Sequence, residues 1–147
     1  MDKNFEVYEA LGFPIIIENP RYIEFAGEKV LDVNPKKIMA AAFKAVIKKS
    51  ARLSGSEVKF LRGYMQLSQE EFAKLIGVER SLISKWQDKK GKFTGMNIPT
   101  ETTLRVRCLM FLNKEASISS KFYDDLISKL CAGEDVGEPI RLPRSAA

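Results

Sequence analysis

The 147-residue sequence contains no histidine and only two cysteines, Cys108 and Cys131. Without histidine, neither a Ser-His-Asp triad nor a Cys-His pair can form, so the common nucleophilic hydrolases are excluded. Two thiols without an imidazole also fall short of a typical zinc site. The sequence lacks a glycine-rich phosphate loop as well. We therefore predict a protein that is not an enzyme and has neither a metal nor a cofactor.

Long apolar runs and a secretory signal are also missing. No stretch is long and apolar enough to span a bilayer, and the first ten residues, MDKNFEVYEA, are polar and acidic. We therefore expect no membrane contact and a cytoplasmic location, in which a disulfide between Cys108 and Cys131 is unfavourable. Cys108 lies within an apolar helical run, which predicts a core position for it.

The positive charge is concentrated in the middle of the chain. Residues 51–114 hold 12 Lys and Arg against 6 Asp and Glu, whereas residues 1–50 hold 8 against 7 and residues 115–147 hold 4 against 6. The net charge of +5 therefore originates in the middle segment. A local surplus of this kind is expected of a nucleic-acid-binding surface, although modest positive charge also occurs on ordinary surfaces.

The segment 54–86 predicts three short helices. Ser54 with Glu57 and Ser68 with Glu71 each match the capping box, in which a serine and a glutamate satisfy each other's free backbone N–H groups. Each glutamate also lies where the helix dipole favours negative charge. The first two helices of the segment are therefore predicted to begin at these serines.

The third helix of the segment is predicted to be basic on one face. Gly77 favours a left-handed turn that ends the second helix, and the third helix begins at Glu79 or its neighbour. The face predicted to be core consists of Leu82, Ile83 and Trp86. The opposite face carries cations and small hydroxyls that can reach bases and phosphates, namely Arg80, Ser81, Ser84 and Lys85.

The stretch LSQEEFAKLIGVERSLISKW, residues 67–86, resembles the XRE-type, lambda-repressor-like helix-turn-helix family. This resemblance implies that Gln69 contacts backbone phosphate and that the third helix enters the major groove. The DNA-contacting positions that it implies are Gln69, Arg80, Ser81, Ser84 and Lys85. The alternative interpretation is a plain three-helix core with a solvated charged face.

The residues after Trp86 form a predicted basic loop, DKKGKFTGMN, over residues 88–97. Lys89, Lys90 and Lys92 surround Gly91, and such lysines can each neutralise one phosphate. A solvated connector is the alternative interpretation of this loop. Phe93 and Met96 are predicted to hold it against the core.

The N-terminal part is predicted to contain a small sheet and one helix. Residues 14–33 contain β-branched runs between turn residues, which predict an antiparallel sheet of two or three strands. Asn34 and Pro35 match an N-cap and a first helical position, so a helix is predicted to follow, up to Lys49. An isolated small sheet is unstable, so we expect it to pack on this helix.

Two further helices are predicted after the loop. The first covers residues 99–112 and is apolar nearly all round, which predicts burial against the core and against a second subunit. Arg105 and Arg107 are placed on its remaining surface, where they contact DNA or pair with Glu101. The second covers residues 118–131, with Ser117 or Ser119 as its cap and an apolar face of Phe122, Leu126, Ile127 and Leu130.

Two stretches, GFPIIIEN at residues 12–19 and FLRGYMQLSQEEFA at residues 60–73, together with the overall layout, are similar to antitoxins of the MqsA and HigA type. These antitoxins are autorepressors of toxin–antitoxin operons, and the Cys-rich zinc site of MqsA-type proteins is missing here. The fold class predicted is mainly α, a lambda-repressor-like helix-turn-helix bundle with a small N-terminal sheet plus helix. We expect a module at residues 1–50 for dimerisation or partner binding, a DNA-binding domain at residues 51–131, and a mobile tail or docking arm at residues 132–147.

The function predicted is a sequence-specific repressor that binds double-stranded DNA at a palindromic operator as a homodimer. As an antitoxin it would also bind a cognate toxin. The alternatives are a solitary phage or mobile-element regulator and a protein-interaction module on a helix-turn-helix scaffold.

Overall fold

The computed structural model describes residues 4–113, 120–132 and 136–147. About half of the chain is helical, as the sequence predicted for a mainly α protein. The helices are α1 (Pro35–Lys48), α2 (Gly55–Tyr64), α3 (Gln69–Ile76), α4 (Arg80–Asp88), α5 (Ile98–Leu112) and α6 (Ser120–Ala132). The strands are β1 (Phe5–Tyr8), β2 (Ile15–Glu18), β3 (Tyr22–Phe25), β4 (Glu28–Leu31) and β5 (Ile140–Leu142), and a short 3₁₀ turn covers Arg144–Ala146.

The described strands form two separate sheets. Strand β2 pairs antiparallel with β1 on one edge and parallel with β5 on the other, while β3 and β4 form a hairpin of their own. The sequence predicted a single sheet over residues 14–33 and therefore missed β1 and β5. Ile15 and Ile17 are buried, and a buried strand needs hydrogen-bonding partners on both edges for its backbone.

The C-terminal segment belongs to this sheet. Where the sequence predicted a mobile tail or docking arm over residues 132–147, β5 pairs with β2, and Leu142 is buried. The Arg144 guanidinium also donates to the carbonyl of Asn19. A strand of three residues is too short for the alternating pattern that reveals strands in a sequence, which explains the difference. Residues 133–135 lie outside the described part of the chain.

Helix α1 begins as predicted. The side chain of Asn34 accepts hydrogen bonds from the backbone N–H groups of Lys36 and Lys37, and Pro35 occupies the first helical position. Its buried face consists of Ile38, Ala42, Phe43, Val46 and Ile47. The Phe43 ring stacks on the Tyr64 ring of α2 with the centroids 4.3 Å apart. Helix α1 therefore packs directly on the helices that follow it.

One hydrophobic core joins the two halves of the chain. The same cluster of buried side chains includes Ile15 and Ile17 from β2, Val46 from α1, and Ile83 and Trp86 from α4. Buried side chains from residues 1–50 and from residues 51–131 therefore belong to the same cluster. A smaller cluster lies between α5 and α6, where Leu126 and Leu130 pack on Val106.

Helices α5 and α6 differ from their predictions in detail. Helix α5 begins one residue earlier than predicted because Asn97 is its N-cap and accepts from the N–H of Thr100 at 2.8 Å. Ile127, predicted on the apolar face of α6, is 41% exposed. The predicted caps of α6, Ser117 and Ser119, lie outside the described residues. No helix in the described ranges has both the length and the apolar character needed to cross a membrane.

Candidate nucleic-acid interface

Helices α3 and α4 are joined by the three residues Gly77, Val78 and Glu79. Both predicted capping boxes are present at the starts of α2 and α3, with the serine and glutamate side chains bonded to each other's backbone. Gly77 has a φ of +86°, the left-handed conformation that the sequence predicted. The turn therefore redirects the chain within a few residues and fixes how α4 leaves α3.

Helix α4 has a buried side and an exposed side. Ile83 is 0% and Trp86 2% exposed, and both belong to the core. Arg80, Ser81 and Lys85 are exposed, as predicted. Ser84 differs, because it is half-buried at the edge of the exposed face.

Leu82 corrects the predicted division of α4. It was assigned to the core face with Ile83 and Trp86, yet its side chain is 36% exposed. Leu82 therefore lies at the margin of the covered face and contributes to the outward surface. Asp88, which the sequence reasoning did not place there, is also exposed at the end of α4. The outward surface is therefore mixed: cationic, hydroxylic, apolar and, at one end, acidic.

Gln69, the predicted phosphate contact, is the first residue of α3 and is half-buried. The exposed carboxylates of Glu70 and Glu71 are its neighbours. The Ser68 N–H donates to the Glu71 carboxylate at 3.0 Å, and this bond together with the Ser68 hydroxyl holds the pKa of Glu71 below its usual 4.5. The Glu71 carboxylate is thus bonded to the N-cap residue Ser68, and the side-chain amide of Gln69 lies beside it.

The basic loop after α4 is attached to the start of α2. The N–H of Ser56 donates to the carbonyl of Lys90 at 2.8 Å, and the N–H of Gly55 donates to the carbonyl of Lys92 at 3.2 Å. The side chains of Lys89, Lys90 and Lys92 are exposed. Met96 is buried as predicted. The backbone of the loop is therefore held in place while its three charges face outward.

Gly55 permits a close approach between α2 and α4 that the sequence did not reveal. A Cβ atom at this position would lie 2.2 Å from the carbonyl oxygen of Trp86 and 2.7 Å from the backbone nitrogen of Lys90. Both neighbours are backbone atoms, which cannot rotate out of the way. The start of α2 therefore packs directly against the backbone at the end of α4 and at the start of the basic loop.

Arg62 is a second residue that the sequence reasoning missed. From α2, its Nε donates to the Gln87 side chain at 2.8 Å, and its Nη1 donates to the Leu67 carbonyl at 2.8 Å. It therefore connects α2 with α4 and with the segment before α3. Gln87 is distant from Arg62 in sequence, and the acceptor of Leu67 is a backbone carbonyl that every residue has. No local sequence pattern therefore indicates either bond.

The two arginines of α5 lie in different environments. Arg107 is exposed, as predicted, but Arg105 is 0% exposed, so its predicted surface position is wrong. Its guanidinium pairs with Glu101 at 2.7 Å and donates to the carbonyls of Ile47, in the last turn of α1, and of Lys49 and Ala51, just after it. The pairing with Glu101 was the other predicted possibility. Burial lowers the pKa of Arg105, and the charge of Glu101 opposes this effect.

Arg105, which is fully buried, and the half-buried Lys49 and Arg52 form a group that we call the buried cation cluster. Arg52 donates to Glu101 at 3.0 Å, and Lys49 donates to Glu57 at 2.6 Å. Burial lowers the pKa of Lys49, and Glu57 partly offsets the shift. Within the described residues, every buried side-chain nitrogen and oxygen atom has a hydrogen-bond partner. The ion pairs of the cluster with Glu57 and Glu101 thus hold the segment between α1 and α2 in place.

The two cysteines do not pair with each other. Both cysteines are free: Cys108 is buried, which raises the pKa of its thiol to about 12, and Cys131 is exposed. Within the ranges that the structure describes, no three Cys, Asp or Glu side chains come together as metal ligands.

The geometry brings Arg80, Ser81 and Lys85 together on one exposed side of α4, followed by Lys89, Lys90 and Lys92 in the loop. Such a surface can contact an anion along the exposed side of α4 and the loop that follows it. No protein-family model matches the chain, and neither a curated protein nor a solved structure is significantly similar to it.

Proposed function

We propose that the protein is a sequence-specific DNA-binding transcriptional repressor in which α3 and α4 form a lambda-repressor-like helix-turn-helix. The observation that carries the proposal is the division of α4. Ile83 and Trp86 fix the helix in the core, while Arg80, Ser81 and Lys85 are exposed. A helix held rigidly on one side with long cations on the other has the geometry required for insertion into a major groove.

Base recognition is assigned to α4. Arg80, at the first turn, suits the paired acceptors of a guanine edge or a phosphate, and Lys85 suits either as a point charge. Ser81 and Ser84 supply short hydroxyls for phosphates or base edges. The exposed Leu82 adds an apolar contact of the kind that recognises the methyl group of thymine. Together these side chains offer more than charge, which supports sequence preference.

Phosphate binding is assigned to the two ends of this unit. Gln69 at the start of α3 offers an amide, and Lys89, Lys90 and Lys92 offer three charges beyond the end of α4. Because the loop backbone is bonded to Ser56 and Gly55, these lysines keep a defined position relative to α4. Such contacts fix the register of a protein on the duplex without reading its sequence.

A second copy of this chain is proposed to cover an apolar groove between α3 and α5. The groove has a volume of about 300 Å³ and is lined by Met65, Leu67, Leu75, Arg107, Met110 and Phe111. A homodimer needs such a patch on each subunit and would place two α4 helices about 34 Å apart on a palindromic operator. Phe111→Glu should shift the protein to monomer in sedimentation, whereas Ile127→Glu, at a similarly exposed position, should not.

The resemblance to antitoxin autorepressors adds the proposal that the operator lies in the protein's own promoter, beside the gene of a cognate toxin. A reporter gene under that promoter should be repressed by the wild-type protein and released by Arg80→Ala. A toxin partner should form a stable complex with the wild-type protein.

Arg80→Ala tests the DNA-binding function directly. A duplex is first selected by the wild-type protein from a random pool, and its affinity is compared with that of a scrambled duplex over a range of salt concentrations. We expect Arg80→Ala to lose roughly 1–3 kcal/mol of the preference for the selected duplex and to keep its melting temperature, because the side chain is exposed. Arg21→Ala, at an exposed position on another part of the protein, should keep both.

The proposal is overturned if the wild-type protein selects no sequence and its binding shows no dependence on salt. Equal binding of Arg80→Ala and wild type to both duplexes would remove Arg80 from base recognition.

A further inference from the structure

Helix α1 carries a second positive surface, outside the proposed interface. The helix contains no acidic residue, and its lysines Lys36, Lys37, Lys44 and Lys48 are all exposed. Lys44 and Lys48 follow Lys37 by seven and eleven residues, which correspond to about two and about three helical turns. Lys37, Lys44 and Lys48 therefore align along one side of α1, and we call this set the α1 lysine stripe.

The fold gains little from this stripe. None of its lysines forms an ion pair with any residue that the structure describes. Lys37 lies in the first turn of α1, where the helix dipole disfavours a cation, and Lys44 and Lys48 are like charges four residues apart. Only Lys48, in the last turn, has a favourable position with respect to the dipole. The arrangement is thus better explained by an anion outside the molecule than by helix stability.

The surroundings of the stripe favour nucleic acid over a protein partner. No large apolar side chain of α1 is exposed, and the positions between the lysines are the half-buried Ala40, Ala41 and Ala45. Protein interfaces need an apolar centre and are depleted in lysine, whereas a phosphate backbone requires only charge. The stripe extends over about 16 Å, a length along which a duplex carries roughly ten phosphate charges.

We propose that the α1 lysine stripe binds the sugar-phosphate backbone of duplex DNA as a second surface in addition to α4. This inference rests on the proposed DNA-binding function and extends it, because the stripe adds affinity without sequence preference. The phosphates belong either to the flanks of the duplex that α4 holds or to a second duplex. Both sources present the same chemistry to the lysines.

The test compares two double variants that remove equal charge. Lys37→Gln with Lys44→Gln neutralises two of the three lysines of the stripe, and Lys121→Gln with Lys129→Gln neutralises two exposed lysines of α6. Each phosphate contact contributes about 0.9 to the slope of log affinity against log salt, so the stripe variant should lose about 1.8. Its preference for the selected duplex and its melting temperature should not fall, and the α6 variant should behave as wild type.

The duplex selected by the wild-type protein is used in a short form, in a form with long flanks, and in an assay in which bound protein captures a second, labelled duplex. If the stripe variant has a smaller salt slope than wild type only on the duplex with long flanks, the stripe binds the flanks. If the stripe variant no longer captures the second, labelled duplex, the stripe binds a second duplex. Unchanged slopes and capture in the stripe variant, with binding still weakened by Arg80→Ala, overturn this inference and leave the proposed function intact. Absence of all DNA binding by the wild type overturns both.

Discussion

The buried cation cluster and the exposed cations of α4 and its loop differ in what holds each charge. Lys49, Arg52 and Arg105 are enclosed by carboxylates and backbone carbonyls of the protein itself. Arg80 and Lys85, by contrast, extend into solvent. The first group therefore acts between elements of the fold, whereas the second remains available to an external anion.

This difference also predicts how each group should respond to mutation. A cation in a buried network leaves an uncompensated partner when it is removed, which destabilises the protein strongly. An exposed cation contributes little to stability, because water and salt screen it. The two groups should therefore separate cleanly in experiments that measure unfolding and DNA binding on the same variants.

The largest effect is expected at Arg105. Arg105→Met keeps much of the side-chain volume but leaves Glu101 with one cationic partner fewer and removes the donors from three carbonyls in the last turn of α1 and just after it. We expect the free energy of unfolding, measured by denaturant titration, to fall by roughly 3–5 kcal/mol.

The control is Arg21→Met, at an exposed position outside both the groove proposed for the second copy and the proposed DNA surface. Its effect should stay within about 0.5 kcal/mol, as for most surface substitutions. Equal losses for the two arginines would contradict the division into buried and exposed groups. DNA affinity per folded molecule should be unchanged by Arg105→Met.

A smaller loss of stability is expected at the junction between the two groups. Gly55→Ala places a Cβ atom against the Trp86 carbonyl and the Lys90 nitrogen, so α2 and α4 must separate slightly. We expect a loss of about 1–3 kcal/mol in unfolding free energy. Because the basic loop is bonded to this end of α2, DNA affinity should fall as well.

Gly63→Ala is the matched control in the same helix. A Cβ atom at Gly63 would meet nothing within 4 Å. Replacing this exposed helical glycine should therefore stabilise the protein by roughly 0.5–1 kcal/mol. If Gly55→Ala stabilised the protein equally, the close contact between α2 and α4 would be contradicted.

The features that the sequence predicted correctly have their causes within a few neighbouring residues. Both capping boxes connect residues three apart, Gly77 needs only its own backbone conformation, and Asn34 caps the helix that begins beside it. Local signals of this kind identify where a helix begins or ends. They sufficed to place α3, its turn and α4, and with them the exposed face that we assign to DNA.

The features that were missed depend on partners distant in sequence. Arg105 and Arg107 are alike in a helical pattern, and what distinguishes Arg105 is its bonds to the carbonyls of Ile47, Lys49 and Ala51, which lie far from it in sequence. Strand β5 pairs with the edge of β2 that β1 leaves open, and these two strands are more than 120 residues apart in sequence. Leu82 fits an apolar face by periodicity, but α4 is covered on only one narrow side, so the residue at its margin remains exposed.

Arg62 sharpens the comparison because it is half-buried but bonds to a side-chain amide and a backbone carbonyl rather than to a carboxylate. Arg62→Met removes the bonds to Gln87 and to the Leu67 carbonyl, and we expect unfolding free energy to fall by roughly 1–2 kcal/mol. Affinity for DNA should fall because α4 loses a connection to α2. If Arg62 only positions α4, the salt slope stays unchanged, whereas a direct phosphate contact would reduce it by about 0.9.

The smallest effect concerns an exposed acid beside the proposed interface. In the folded protein the pKa of Glu71 lies below its usual 4.5 because Ser68 donates to the carboxylate. At a pH between the folded pKa and the usual value, the unfolded chain therefore binds more protons than the folded one. Glu71 therefore contributes stability that is present above pH 4.5 and is lost as the pH falls through its folded pKa. Glu71→Gln should lack this pH-dependent contribution to the free energy of unfolding. Denaturant titrations from neutral to acidic pH should show the two proteins converging in acid, and a constant difference between them would contradict the assignment of the cap.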